Sequence, residues 1–197
     1  MPARTIRPIL LAAGQSQRFG SDKLVHPFVC KSQLKPLIMH TLSSWLEVFS
    51  ELDVVIRDDN SALITLVRNS ELASKVRLVL ATDASKGMSA SLISGVAANQ
   101  QADAWLIGLA DMPFINRAVI NDSLLALQAG AKITQPQFQQ RSGHPVGFAS
   151  DFLPALLSLS GDKGARQILK AAYDQITVIN SPNDGIYRDI DVKHDLD

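Results

Sequence analysis

The chain has a single cysteine, no excess charge of either sign and no long apolar run, and each shortage excludes something. A lone thiol, Cys30, cannot close an intrachain disulfide, which fits a reducing compartment. Basic and acidic residues number 19 each, so the formal net charge is zero. No bulk field draws the chain to nucleic acid or a membrane, and any anion site must come from a local cluster. The N-terminal apolar run, Ile9 to Ala13, is too short for a signal sequence, and nothing approaches membrane-spanning length. The expectation is a cytoplasmic protein. Repeats, low-complexity tracts and linkers are also lacking. The 197 residues, 46% hydrophobic, therefore read as one domain with ample core. No Ser/His/Asp or Cys/His set points to covalent catalysis.

What is there alternates. Strand-like runs at 6–11, 52–56, 76–80, 104–109, 131–135, 146–149 and 176–179 are separated by helical patterns. One pattern, opened by Lys35-Pro36, places Ile38, Leu42, Trp45, Leu46 and Phe49 at helical spacing. Others cover 61–68, 89–99, 117–129, 151–159 and 163–172. This order predicts an α/β fold, a mostly parallel sheet with helices on both faces. Ligands of such sheets sit at the carboxyl ends of the strands.

Residues 10–23 carry the most information. The first strand ends in Leu11, also a candidate for the nucleotide site, and runs into Ala12, Ala13 and Gly14, whose minimal side chains let phosphate oxygens approach backbone N–H groups. Ser16, Arg18, Gly20 and Lys23 follow, and the two cations supply the charge a triphosphate requires. The glycine spacing fits neither the dinucleotide fingerprint nor the Walker phosphate loop. This string resembles the opening motif of nucleotidyltransferases that act on a molybdenum-cofactor (molybdopterin) substrate, and the resemblance extends over nearly the full length. It implies a three-layer, Rossmann-like nucleotidyltransferase fold with Mg²⁺ as cofactor, and Arg18, Lys23 and Asp111 as catalytic residues.

Later segments fit the same resemblance. Gly108-Leu109-Ala110-Asp111-Met112-Pro113 follows a strand, where Asp111 reads equally as a turn residue or as a Mg²⁺ ligand. The family carries Ala-Asp-x-Pro here, which implies the metal role. In Asp189-Ile190-Asp191 alternation puts both carboxylates on one face, and the resemblance carries over Asp191 as a metal ligand. Gly87-Met88-Ser89 opens a helix on which Ser89 is a good N-cap. The family's similar segment implies a nucleotide pocket containing Gly87, Ser89 and the preceding Asp83. Arg141-Ser142-Gly143-His144-Pro145 and Gly161-Asp162-Lys163-Gly164-Ala165-Arg166 resemble elements on the cofactor side. On its own His144 reads as a structural loop histidine or as a donor to a phosphate, and Lys163 and Arg166, one helical turn apart, read as exposed cations on a capped helix start or as contacts to the second substrate's phosphate.

Ala13 in Leu-Ala-Ala-Gly, together with Gly-His-Pro, resembles the branch that uses CTP. The implied reaction transfers CMP to the phosphate of a molybdopterin-type cofactor, with a molybdenum hydroxylase apoenzyme as a downstream partner. A sugar or polyol phosphate as acceptor, or a non-catalytic nucleotide-binding maturation factor, stays open. A Rossmann-type oxidoreductase is disfavoured by the glycine spacing.

Overall fold

The computed structural model describes residues 4–14, 22–30, 32–84 and 87–191. Strand β1 (Ile6–Leu11) is followed by a hairpin, β2 (Pro27–Cys30) and β3 (Gln33–Pro36), which leads into α1 (Leu37–Leu46). Then come β4 (Leu52–Arg57), α2 (Ser61–Arg68), β5 (Val76–Ala81), α3 (Met88–Ala97), β6 (Ala104–Leu109) and α4 (Arg117–Gln128). The remainder is β7 (Ile133–Phe138), β8 (Arg141–Ser142), β9 (Val146–Ala149), α5 (Leu153–Leu157), α6 (Arg166–Ala171) and β10 (Ile176–Asn180).

The main sheet runs β10-β7-β9-β6-β1-β4-β5, with β8 paired to β7. Along that path only β9 is reversed, lying antiparallel to both β6 and β7. Side chains alternate across the pleat. Ile9, Val55, Trp105 and Ile107 face Leu92 and Val96 of α3, Leu156 of α5 and Ile168 of α6. Leu10, Val54, Ile56 and Leu106 face the other way, into Leu42 and Trp45 of α1, Leu63 of α2 and Ile120 of α4. Helices on both faces make the three-layer architecture that the alternation predicts. No helix among the described residues is long and apolar enough to cross a membrane.

Three local expectations need correction. Pro36 ends β3 and stands just before α1 rather than in its first turn. Lys35 belongs to the hairpin, because Gln33–Pro36 pairs with Pro27–Cys30. The 163–172 helix begins only at Arg166, so Lys163 lies in the preceding turn and not one helical turn away.

Near the N-terminal end of β4, at the other end of the strands from the site, Asp53 is fully buried. Its carboxylate accepts from Arg7 at 3.0 Å, from Arg77 at 2.8 and 2.6 Å and from Asn99 at 2.6 Å. Asp53→Ala removes the buried carboxylate that ties Arg7, Arg77 and Asn99 together, leaving Arg7 with Glu51 and Arg77 with Asn99. The expected cost is about 3 kcal/mol, or roughly 6–12 °C in a chain of this size, measurable by thermal unfolding.

Candidate functional site

The registers of β1 and β6 place the candidate site. Leu11 pairs with Leu109, so Ala12–Gly14 and Ala110–Asp111 leave the sheet side by side. Three bonds pin the backbone around Asp111. The Ala110 N–H donates to Leu11, Thr41 Oγ1 of α1 donates to the Ala110 carbonyl, and the Ile190 N–H donates to the Asp111 carbonyl. Ile190 is itself buried in the core. Because neighbours on an extended segment point to opposite sides, anchoring Ile190 turns Asp189 and Asp191 outward together.

The result is a cluster of three carboxylates, with ligand oxygens of Asp111, Asp189 and Asp191 all within 4.8 Å of one another. Lys23 meets it from a short turn whose start is capped by Asp22. Its Nζ lies 2.7 Å from Asp111 and 3.0 Å from Asp191. Burial alone pushes this ammonium down, but the two carboxylates outweigh it and hold the group above its usual range. Burial, reinforced by Asp111 and Asp191, pushes the Asp189 carboxyl up. Asp111 Oδ1 is shielded from water and has no hydrogen-bond partner among the described residues. A bare carboxylate oxygen facing two further carboxylates is the donor set of a hard divalent cation, so these residues fit one.

Two cavities meet at this cluster. The first, about 410 Å³, is lined by Leu11, Ala13, Gly14, Gly87, Ser91, Asp111 and Asp162 among others. Gly87 has a φ of +107°, and a Cβ there would stand 2.1 Å from Asp162 Oδ1. The position therefore needs glycine on both counts. The second, about 470 Å³, is lined by Arg141, His144, Lys163, Arg166, Tyr187 and Asp189, with Leu11, Met88 and Leu109 shared between the two.

Other expected residues are placed differently. The Ala12 N–H donates to the Val55 carbonyl at 2.8 Å, so it is not available to a phosphate. Ser89 is not an N-cap: Gly87 holds that position, and the buried Ser89 hydroxyl donates to the Ser160 carbonyl instead. Asp83 is exposed beyond the end of β5 and does not line either cavity. Ser16 and Arg18 lie outside the described residues. Conversely, Asp189, Asp162 and Arg141 lie within the motifs described above but carry no sequence signal for a separate role, and Ser91 lies two residues beyond Ser89. Tyr187, on whose ring the Arg141 guanidinium stacks at 4.0 Å, had no sequence signal beyond lying two residues before Asp189.

The sequence matches the family described as MobA-like NTP transferase domain over residues 8–176. The chain belongs to that family. Membership makes it a nucleotidyltransferase, in keeping with its sheet and helices. This MobA-like NTP transferase is 31% identical to the purine catabolism protein PucB of Bacillus subtilis, across 96% of this chain and 93% of PucB. It is 26% identical to the nicotine blue oxidoreductase of Paenarthrobacter nicotinovorans, across 93% of this chain and 90% of that protein. The crystal structure of Rv0371c from Mycobacterium tuberculosis shares its fold, with a TM-score of 0.81 at 22% identity, covering 99% of this chain and 96% of that one.

In this MobA-like NTP transferase the Gly-His-Pro element is clamped to the carboxylate segment. The His144 N–H donates to the Ile186 carbonyl at 2.7 Å. A Cβ on Gly143 would lie 2.1 Å from that same oxygen, so only glycine permits the approach. Burial lowers the His144 ring from its ordinary 6.5 to about 4, and it is neutral at neutral pH. A folded value below the unfolded one supplies stability that is complete above pH 6.5 and is lost as the pH falls toward 4. His144→Asn, which cannot titrate, is expected to flatten part of that decline in thermal unfolding across the same window.

Proposed function

We propose that this nucleotidyltransferase moves CMP from CTP onto the phosphate of a molybdenum-pterin cofactor and releases pyrophosphate. The observation that carries the reading is where the carboxylates stand. Asp111 lines one cavity, Asp189 lines the other, and both belong to one cluster at their border. A phosphorus atom at that border is reachable from both sides, as transfer between two phosphates requires.

In this reading the first cavity takes the nucleotide. Ala13 and Gly14 keep its wall low, and a Cβ on Gly14 would meet nothing within 4 Å, so a triphosphate can lie against the backbone. The Ala13 methyl crowds a purine more than a pyrimidine, which favours CTP. Lys23 and Arg18 neutralise the leaving pyrophosphate. Lys163 and Arg166 hold the acceptor phosphate on the far side. Asp111 and Asp191, with Asp189 beside them, would hold Mg²⁺, which when bound neutralises charge on the transferring phosphoryl group. No general base is needed, because a phosphate monoester is largely ionised near neutral pH. The product would pass to a molybdenum hydroxylase apoenzyme.

The test is pyrophosphate release by purified protein with Mg²⁺, molybdenum-loaded pterin cofactor and each nucleoside triphosphate in turn. Release with CTP is expected. Release with GTP alone would overturn the base assignment, and silence with all four would overturn the acceptor.

A further inference from the structure

The β2–β3 hairpin carries an apolar face that the fold leaves uncovered. Pro27 pairs with Pro36 and Val29 with Leu34, and residues opposite one another in an antiparallel pair share a face, as do alternate residues along a strand. The other face holds Phe28 and Cys30, which are buried in the core. Pro27, Val29, Leu34 and Pro36 therefore point outward together, and Val29 is 59% and Leu34 70% exposed. Through Pro36 this face runs into an open groove of about 480 Å³. Lys35, Pro36 and Met39 form one wall of the groove, and α2 with the turn after it, from Leu66 to Glu71, forms the other. A contiguous exposed apolar surface with a polar rim marks a site of association.

The charges on the rim identify the occupant. Lys35 stands on one wall and Glu71 on the other, and neither has an ion-pair partner among the described residues. A strongly acidic or basic partner would be met by one sign of charge. This rim carries one of each, on opposite sides, which is the pattern a copy of itself matches. We propose that the hairpin face and the groove form the interface between two copies of this chain, related by a two-fold axis running along the groove. In such an isologous contact each wall faces the opposite wall of the second copy. Lys35 of one copy then meets Glu71 of the other, twice, and the apolar hairpin of each copy lies over the α2 wall of the other, where Leu66 stands. The zero formal net charge sets no long-range repulsion against the pairing.

The test is the mass of the full chain in solution, followed by sedimentation equilibrium across micromolar concentrations. Wild type is expected to reach the mass of two chains. Leu34→Asp removes no core contact, since the side chain is mostly exposed. It should keep the wild-type unfolding temperature of the monomer while raising the dissociation constant roughly thirtyfold or more. Lys35→Glu and Glu71→Lys should each weaken the dimer about tenfold by setting like charges against one another. The two changes in one chain exchange the signs of both walls and should restore most of the affinity, which a general effect on the surface would not do. A one-chain mass for wild type at every concentration would overturn the proposal and leave this face to a different protein. A dimer that survives Leu34→Asp, or charge changes that do not rescue one another, would overturn it as well.

Discussion

Lys23→Met is expected to lower turnover by about a thousandfold while leaving the fold intact. The ammonium lies within hydrogen-bonding distance of both Asp111 and Asp191, and its side chain is only 10% exposed. In such a shielded setting a positioned charge acts with little screening. Losing one group that stabilises developing negative charge costs roughly 3–4 kcal/mol of the barrier, a factor of roughly 10²–10³. The same change leaves three carboxylates facing one another without the ammonium. The variant should therefore unfold at lower temperature than wild type in the absence of divalent cation, and gain more from added Mg²⁺. Steady-state kinetics and thermal unfolding with and without Mg²⁺ check both halves. Near-normal turnover in Lys23→Met would remove the lysine from the reaction.

Asp111→Asn is expected to lower activity by about a thousandfold or more and to blunt its response to Mg²⁺. Asparagine keeps the shape, but it can turn an NH₂ donor toward the Lys23 ammonium, which now sits 2.7 Å from a carboxylate oxygen. It also removes the charge from a residue whose Oδ1 is shielded and unmatched. Asp191 is more exposed, at 41% against 19% for Asp111, and Asp189 stands beside it. Asp191→Asn should therefore keep measurable activity at a higher Mg²⁺ concentration. Titrating Mg²⁺ against pyrophosphate release in the two variants gives the order. Equal losses with an unchanged Mg²⁺ midpoint would argue that the carboxylates do not share one cation.

The sequence showed most of the scaffold because the strands are buried on both faces and read as short apolar runs such as Leu52–Ile56 and Ala104–Leu109. Strand direction left no such mark. Val146–Ala149 is as apolar and buried as its neighbours, and its reversal comes from the path of the chain rather than from its composition. The β2–β3 hairpin leaves little mark in the sequence because Val29 and Leu34, a cross-strand pair, are apolar yet face solvent, so the exposed–buried alternation of β2 has no matching polar–apolar alternation. At the site, the alternation in Asp189-Ile190-Asp191 was legible, since one apolar residue between two carboxylates has a simple geometric meaning. What sequence could not show was the bond from Ile190 to Asp111, formed across 79 residues of chain. Ser89 misled for a related reason. A serine near a helix start reads as a cap, but its hydroxyl is drawn to the Ser160 carbonyl by packing of the 160–161 turn against α3. Nothing local encoded that contact.

The central claim is that one cytidylyl group, carried on its α-phosphorus, passes across the border marked by Asp111 and Asp189. The most direct measurement gives the protein CTP labelled at the α-phosphorus, Mg²⁺ and molybdenum-loaded pterin cofactor, and follows the label. The account predicts that it appears in a pterin-linked nucleotide while unlabelled pyrophosphate is released in equal amount. Label remaining in CTP, or emerging as free CMP with no pterin product, would contradict it.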